Sequence, residues 1–394
     1  MGNQALALGA LRAGITVASG YPGTPSSEII ETVAARAATL GLDASGRPRV
    51  HVEWSTNEKA ALEVGAGAAF AGARALVTMK QVGLNVASDA LMSLPYLGVQ
   101  GGLVLVVCDD PGPISSQTEQ DTRQFAQFAK LPLLDPATPE EALAMMPYAF
   151  DLSKRYATPV IVRPTTRVCH GTALIETDLN YQPHEPSGFS RGPRWVVFPR
   201  RAFEGHLEIT RRLPQIAEEF SAHGETTADA LKDGDTSGDT GGDTSGFLRI
   251  VETGPDTTAR LGVVAGGISY AYLRDALAQA AGRDHPNADL ALRLFKVGTP
   301  FPFPERRALA FLEGLSEVLV LEELEPVIER ELLQLVGKHQ LPVRIRGKLT
   351  GDTTQAGENS IALIERQLET FAQLPSAEGA GAAVGAGVGA GVGA

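Results

Sequence analysis

Hydrophobic residues occur along the first part of the chain in two alternating patterns. Short apolar runs, such as those at 15–19, 75–79 and 103–107, are bounded by glycine, proline and polar residues and predict strands. Longer segments between them carry apolar residues at helical spacing. The uninterrupted run 103–107 is typical of a parallel strand covered on both faces. The alternation therefore predicts a doubly wound α/β domain over residues 1–180.

The pattern breaks after residue 180 and then resumes. Four prolines between 183 and 199 indicate a linker, and 202–220 predicts one helix that packs across both domains. Strands and helices alternate again in 247–350, which predicts a second doubly wound α/β domain. The predicted divisions are 1–180, 181–223, 224–246, 247–350 and 351–394.

Two segments lack any pattern that would bury them. Residues 224–246 repeat Gly-Asp-Thr units with very few apolar residues, which predicts a solvated, disordered insertion. A calcium-binding interpretation of Asp235, Asp239 and Asp243 is less favoured, because such repeats need a stacked hydrophobic framework. The Gly/Ala/Val tail from Ala377 predicts a flexible linker.

Composition narrows the class of protein. The chain has 394 residues, 43% of them hydrophobic, which suffices for two cores. Its net charge of -12 argues against a nucleic-acid surface. Two cysteines, Cys108 and Cys169, suit a reducing cytoplasm and exclude an iron–sulfur cluster held by this chain alone, because a cluster normally needs about four cysteine ligands. No signal peptide or apolar run of about 20 residues is present, so we expect a cytoplasmic protein without membrane contact.

One strand-to-helix junction organises the candidate chemistry. Glu58 follows the extended run 49–52 and precedes the Ala-rich, helix-like segment 60–73. Crevices at such junctions bind ligands in open α/β sheets. Spacing alone favours a structural interpretation, in which Asn57 or Thr56 caps the helix and Glu58 occupies its first turn.

Three sequence motifs favour a functional interpretation of this junction. Gly20–Glu28, Glu53–Ala61 and Met79–Ala87 occur in this order. Together they resemble the N-terminal part of the indolepyruvate:ferredoxin oxidoreductase α subunit, one of the thiamine-diphosphate-dependent 2-oxoacid:ferredoxin oxidoreductases. The resemblance extends weakly to about residue 351. It implies that 1–180 is a pyrimidine-binding domain and that 247–350 is a transketolase C-terminal-like domain.

The resemblance also implies roles for individual residues. Glu58 would hydrogen-bond N1′ of the cofactor's aminopyrimidine, and Thr24 would lie near the reacting carbon, although its hydroxyl could instead satisfy its own turn. Gly83 would allow close backbone approach in a loop over 80–83, and Asn85 would either donate to the cofactor or cap the next helix. The residues expected at the cofactor are Tyr21, Pro22, Gly23, Thr24, Glu58, Gly83 and Asn85.

A polar segment after Pro113 is expected to close over the substrate. The residues expected to contact substrate are Lys80, Gln117, Thr118 and Arg123. Lys80 would pair with a substrate carboxylate, although an exposed lysine is the commoner case. Cys169 and His170 lack a third partner in the sequence and are interpreted as structural. The acidic run 322–325 is interpreted as a solvated or subunit-facing edge.

The other half of such a cofactor site is missing from the sequence. Members of the resembled family hold Mg²⁺ and the diphosphate with a Gly-Asp-Gly turn, which is absent here, and the histidines show no zinc-site spacing. We therefore predict no metal on this chain and a second chain that carries the Mg²⁺–diphosphate domain and iron–sulfur clusters. The other expected partners are the β subunit, ferredoxin and coenzyme A. The expected reaction is oxidative decarboxylation of an arylpyruvate; the alternatives are a split non-oxidative decarboxylase and a non-catalytic scaffold.

Overall fold

The structure is a computed structural model that describes residues 1–175, 179–222, 246–253, 259–281 and 291–372. The predicted insertion over 224–246, except for its last residue, and the predicted tail from residue 377 fall outside these ranges. In the described ranges, none of the helices is long and apolar enough to cross a membrane.

The first sheet has six parallel strands in the order β2-β1-β3-β4-β6-β5. Strand order reverses beside β1, so helices cover both faces, as predicted for a doubly wound domain. Its strands are Val17–Gly20 (β1), His51–Trp54 (β2), Ala75–Lys80 (β3), Leu103–Cys108 (β4), Leu133–Leu134 (β5) and Val160–Val162 (β6).

The second sheet has the order β11-β10-β8-β9-β7. Four strands are parallel to one another. The fifth strand, β7, pairs antiparallel with β9, and β7 was not predicted by the sequence analysis. Its strands are Leu248–Thr253 (β7), Leu261–Gly266 (β8), Leu292–Val297 (β9), Glu317–Leu321 (β10) and Arg344–Arg346 (β11).

The described residues form twelve α-helices, of which the first precedes strand β1. The first seven are Gly2–Arg12 (α1), Ser27–Ala37 (α2), Glu58–Phe70 (α3), Gln81–Leu97 (α4), Thr122–Ala129 (α5), Pro139–Tyr156 (α6) and Thr166–His170 (α7). The others are Pro199–Ala222 (α8), Ile268–Ala281 (α9), Glu305–Leu312 (α10), Val327–His339 (α11) and Ile361–Ala372 (α12). Helix α12 belongs to a segment for which no element was predicted.

The two sheets share one apolar core. Every residue of β4 is buried, which explains its uninterrupted apolar sequence. Side chains on one face of this strand, including Val104, belong to the same buried cluster as Val264 of β8 and Phe295 of β9. Backbone hydrogen bonds also join the units, since the Leu133 N–H donates to the Phe301 carbonyl at 2.7 Å. The edge strand β5 is thereby attached to the second unit.

Helix α8 spans both units, as the sequence predicted. It packs against α4 and α10. Three arginines from this region donate to the last carbonyls of α4, which no intrahelical N–H can reach. Arg212 donates to Pro95, Arg201 to Tyr96 and Arg194 to Leu97.

Candidate active site

Four segments meet at the carboxyl edge of the first sheet. Strands β1, β2, β3 and β4 run parallel and therefore end on the same side. The segments that follow them are 21–26, 55–57, 81–85 and 109–121. These segments contain most of the residues that the sequence analysis selected, and Glu58 and Lys80 directly adjoin them.

Glu58 begins helix α3 directly after β2. The Asn57 side chain accepts a hydrogen bond from the Ala60 N–H at 2.9 Å and caps the helix, as the structural interpretation predicted. The Glu58 side chain is half-buried. Within the described part of the chain, its carboxylate makes no hydrogen bond or ion pair. Because Asn57 caps the helix, the Glu58 carboxylate is not used as a cap and can bind another group.

Gly83 lies against Glu58 and explains the position of that side chain. A Cβ at residue 83 would lie 2.5 Å from Oε1 and 2.7 Å from Cγ of Glu58, closer than real Cβ contacts. The expected loop over 80–83 is wrong, because α4 begins at Gln81 with Lys80 as its N-cap. The close approach that Gly83 permits is therefore that of the Glu58 side chain.

Asn85 lies inside α4 and cannot cap it. Its amide donates instead to Gln120 Oε1 at 3.1 Å. At the start of α2, the Ser26 hydroxyl donates back to the Gly23 carbonyl at 2.8 Å and caps no N–H. The contact of Asn85 depends on a neighbour in the segment 109–121, which local sequence spacing does not reveal.

The turn after β1 lies beside Lys80. A Cβ at Gly23 would lie 3.2 Å from Cγ and Cδ of Lys80, so the lysine stem passes directly over this glycine. Thr24 and Tyr21 are exposed at the same turn. The Thr24 hydroxyl makes no hydrogen bond to any described residue, so the proposed turn bond to its own backbone is not seen.

The segment after β4 reaches across to these groups. Lys80 Nζ approaches Gln117 Oε1 at 3.5 Å, and Gln81 Nε2 donates to the Thr118 carbonyl at 3.3 Å. The Ser115 hydroxyl lies 3.5 Å from the Thr24 carbonyl. We call residues 111–121 the covering loop. It brings Gln117 to Lys80 and Thr118 to Gln81.

Arg123 does not join this group. Its side chain is 1% exposed, and its guanidinium pairs with Asp121 and Glu322 at 2.7 Å. Its Nη2 also donates to the carbonyls of Glu323 and Glu325. These partners saturate the guanidinium, so the expectation that Arg123 contacts substrate is corrected to a contact between the two units.

The acidic run 322–325 is also corrected. Glu322 is buried and accepts N–H bonds from Val327, Ile328 and Glu329 at the start of α11. Burial raises the pKa of Glu322 despite Arg123. Burial likewise raises the pKa of Glu323 to about 7, against an N–H bond from Asn359 that lowers it. Glu322 and Glu323 therefore lie in an internal seam between the units, whereas Glu325 is exposed, as predicted for a solvated edge.

The seam continues along the carboxyl ends of β4, β5 and β6, which are followed by Asp109, Asp135 and Arg163. Arg163 pairs with Asp109 at 2.6 Å and with Asp135 at 3.3 Å. Burial raises the pKa of both carboxyls although Arg163 opposes the shift. We call Asp109, Asp121, Arg123, Asp135, Arg163, Glu322 and Glu323 the seam cluster.

Three residues at the edge were missed by the sequence analysis. Thr78 Oγ1, Gln81 Oε1 and Ser116 Oγ are buried without a hydrogen-bond partner. Gln81 directly follows β3, a position that strand-end reasoning could have flagged; Thr78 looked like an ordinary strand residue. Buried polar atoms normally find partners, so these atoms fit a bound polar group.

The residues present fit half of a thiamine diphosphate site. A free carboxylate on Glu58 is the chemistry that the aminopyrimidine ring requires, and the unpartnered acceptor of Gln81 adds a second polar group. Across the described ranges, no group of three or more His, Cys, Asp or Glu side chains could hold a metal ion. Cys108 and Cys169 are free and buried.

Two family models match separate parts of the chain. Residues 8–178 match the family model described as pyruvate flavodoxin/ferredoxin oxidoreductase, thiamine diphosphate-binding. Residues 249–365 match the indolepyruvate ferredoxin oxidoreductase middle domain. The fold and these matches define the class: an α/β protein with the thiamine-diphosphate-binding domain of 2-oxoacid oxidoreductases.

Curated relatives place the chain within that class. It is 36% identical over 379 residues to the indolepyruvate oxidoreductase subunit IorA of Methanothermobacter thermautotrophicus, covering 96% of this chain and 55% of the relative. It is 30% identical over 321 residues to the ketoisovalerate oxidoreductase subunit VorB of Methanothermobacter marburgensis, covering 79% of this chain and 82% of that subunit. The chain belongs to the 2-oxoacid:ferredoxin oxidoreductase family. It spans about half the length of the IorA relatives it matches.

A solved structure supports the fold. The 2-oxoglutarate:ferredoxin oxidoreductase from Magnetococcus marinus superposes with a TM-score of 0.64 at 15% identity, covering 94% of this chain and 64% of that chain. At this identity the likeness concerns the fold alone. It supports the predicted pair of α/β units.

Proposed function

We propose that this chain supplies the aminopyrimidine half of a thiamine diphosphate site in an indolepyruvate-type ferredoxin oxidoreductase. The observation that carries the proposal is the Glu58 carboxylate, half-buried at the carboxyl edge and unpaired among the described residues. Charged side chains that a fold buries are normally paired with an opposite charge. Glu58 is held in place by Gly83 and the Asn57 cap and is left for an external partner.

Thiamine diphosphate, when bound, supplies the carbanion chemistry at its thiazolium C2. Glu58 would hold the aminopyrimidine at N1′ and control the proton there. Gln81 and Thr78 would offer polar atoms beside it. Tyr21, Pro22, Gly23 and Thr24 would form the wall after β1, and the Thr24 hydroxyl remains free to donate to substrate.

Lys80 is proposed to bind the substrate carboxylate. Among the described residues, its ammonium has only a 3.5 Å contact to Gln117, so it remains available for an anionic group. Gln117 and Thr118 lie on the covering loop next to it. In the proposed reaction the C1–C2 bond of the 2-oxoacid breaks and CO₂ leaves. Two electrons pass to ferredoxin, and the acyl group forms a thioester with coenzyme A.

A partner chain is proposed to cover this edge. Tyr21, Trp54, Val86 and Ile114 are exposed apolar side chains from four segments around the carboxyl edge. Apolar rims of this kind mark interaction sites. The partner would bring the Mg²⁺–diphosphate domain and the iron–sulfur clusters, with the β subunit completing a cytoplasmic complex.

The test is activity of the assembled complex with Glu58→Gln. The tagged chain is isolated anaerobically with its partners, and indolepyruvate- and coenzyme A-dependent ferredoxin reduction is measured. We expect Glu58→Gln to abolish turnover while assembly persists. Glu63→Gln, an exposed residue on the same helix, is the matched control and should keep full activity. Full activity of Glu58→Gln would overturn the proposal.

The composition of the isolated complex separates the remaining alternatives. A partner with Gly-Asp-Gly and clustered cysteines supports the oxidoreductase. A partner with the first motif and no cysteine cluster would instead indicate the non-oxidative decarboxylase. Failure to recover any partner would favour the scaffold.

A further inference from the structure

The covering loop is fastened at both ends by carboxylates. Near its start, Asp110 accepts from the N–H groups of Ser115 and Ser116 at 2.9 and 3.0 Å. At its end, Asp121 caps α5 and accepts from the Glu325 N–H at 3.1 Å. The loop is therefore tied to the first unit at one end and to the second unit at the other.

Glu119 accepts hydrogen bonds from two separate segments with one oxygen. Its Oε1 accepts from the Gly112 N–H at 2.9 Å, which closes the loop on itself. The same oxygen accepts from the Gly357 N–H of the second unit at 3.2 Å. Glu119 is thus the side chain through which the middle of the loop, and not only its end, is attached to the second unit.

Two glycines allow the loop and the second unit to meet at this point. Gly112 has φ +59 and Gly357 has φ +87, and a Cβ at Gly112 would lie 3.2 Å from the Gly357 Cα. Only glycine adopts these backbone conformations without strain. The neighbouring Glu358 pairs with Arg167 of the first unit, so the 357–358 backbone is itself held in place.

On the other side, the loop contacts the candidate site. Gln117 lies at Lys80, Thr118 at Gln81 and Gln120 at Asn85, at distances of 3.1 to 3.5 Å. The contact of Glu119 to Gly357 of the second unit has a similar length, 3.2 Å. The loop is therefore held over Lys80 from the site and from the second unit, and Glu119 makes one of the contacts to the second unit.

We infer that Glu119 is a positioning residue, and that the second unit acts in catalysis by holding the covering loop over Lys80 through Glu119. The substrate role of the loop rests on the proposed function; the attachment itself does not. Loss of the carboxylate would free the loop from Gly357 and leave Lys80, Glu58 and the fold intact.

Hydrogen exchange of the purified chain tests the attachment. Loss of two hydrogen bonds in Glu119→Ala should speed amide exchange of peptides covering 111–121 by about tenfold. Glu119→Gln keeps an acceptor oxygen and should restore slow exchange. Peptides from β4 and β8 should be unchanged, and Glu63→Ala should change nothing. Unchanged exchange at 111–121 in Glu119→Ala would overturn the inference, and so would faster exchange throughout the chain.

Kinetics of the assembled complex test the positioning role. Glu119→Ala should raise KM for the 2-oxoacid several-fold, with a smaller change in kcat, and Glu119→Gln should stay near wild type. A freed loop with unchanged KM would overturn the positioning role. If the wild-type complex shows no 2-oxoacid activity, the proposed function fails, while the exchange result still decides whether Glu119 holds the loop.

Discussion

The seam cluster and the candidate site lie at the same end of the first sheet, but their charged side chains differ in whether they have partners. In the seam, Arg123 is fully buried and every group of its guanidinium has a partner. At the site, the Glu58 carboxylate has no partner among the described residues, and Lys80 has one contact at 3.5 Å. Paired buried charges hold the units together, whereas the unpaired, half-buried ones are available for ligands.

Removing a seam charge should produce the largest effect on stability. Arg123→Met leaves Asp121 and Glu322 buried without their cation, and breaking such a pair typically costs about 3–5 kcal/mol. Lys80→Met at the site should change the free energy of unfolding by no more than about 0.5 kcal/mol. Denaturant unfolding of both variants measures the difference. Equal losses in the two variants would remove the distinction between seam and site.

The seam should also make stability depend on pH. Burial raises the pKa of Glu323 from the ordinary value of 4.5 to about 7, so the folded state binds this proton more tightly than the unfolded chain. The stability it contributes is full below pH 4.5 and is lost as pH rises through about 7, on the order of 3 kcal/mol in total.

Glu323→Gln tests this sign. The amide stays neutral at every pH and can still accept the Asn359 N–H, so the variant should match wild type near pH 5 and be more stable near pH 8. Free energies of unfolding across this range give the answer. Glu63→Gln serves as the exposed control. A variant less stable than wild type at pH 8 would show that Glu323 is ionised in the folded protein and stabilises it.

Gly83 offers a way to separate stability from function at the site. Alanine is favoured over glycine in helices by about 1 kcal/mol, and Gly67→Ala in α3, where a Cβ would meet open space, should gain that amount. Gly83→Ala should keep the fold but displace the Glu58 side chain and lower turnover at least tenfold. Thermal melting and turnover of both variants are compared; normal turnover in Gly83→Ala would show that the position of Glu58 does not matter.

The helix cap should have the smallest effect. Asn57→Ala removes the acceptor for the Ala60 N–H and should cost about 1 kcal/mol, whereas Asn57→Asp retains an acceptor and should cost little. Chemical denaturation compares the two. Equal stability of all three proteins would mean that the cap contributes nothing to the start of α3.

Much of the fold could be predicted because the information is local. The apolar run 103–107 and the short loops around it suffice to predict a buried parallel strand, and the structure confirms it as β4. Helix α12 and the antiparallel β7 were missed because one lies after the last clear alternation and the other borders the low-complexity segment. The predicted start of α4 was wrong because Gly83 suggested a loop. In the structure, the lack of a side chain at Gly83 leaves room for the Glu58 side chain of α3.

The sequence by itself determined that Glu58 follows a strand and begins a helix, because chain order and apolar period fix which residues end parallel strands. Only the tertiary structure decided what Arg123 and the 322–325 run do, because these partners lie 199 or more positions apart and meet only when the two units pack. Local sequence patterns indicate buried positions and turns, but they do not indicate which distant charged residue a side chain will contact. For this reason Arg123, which was predicted to be a substrate ligand, is instead one of the contacts between the two units.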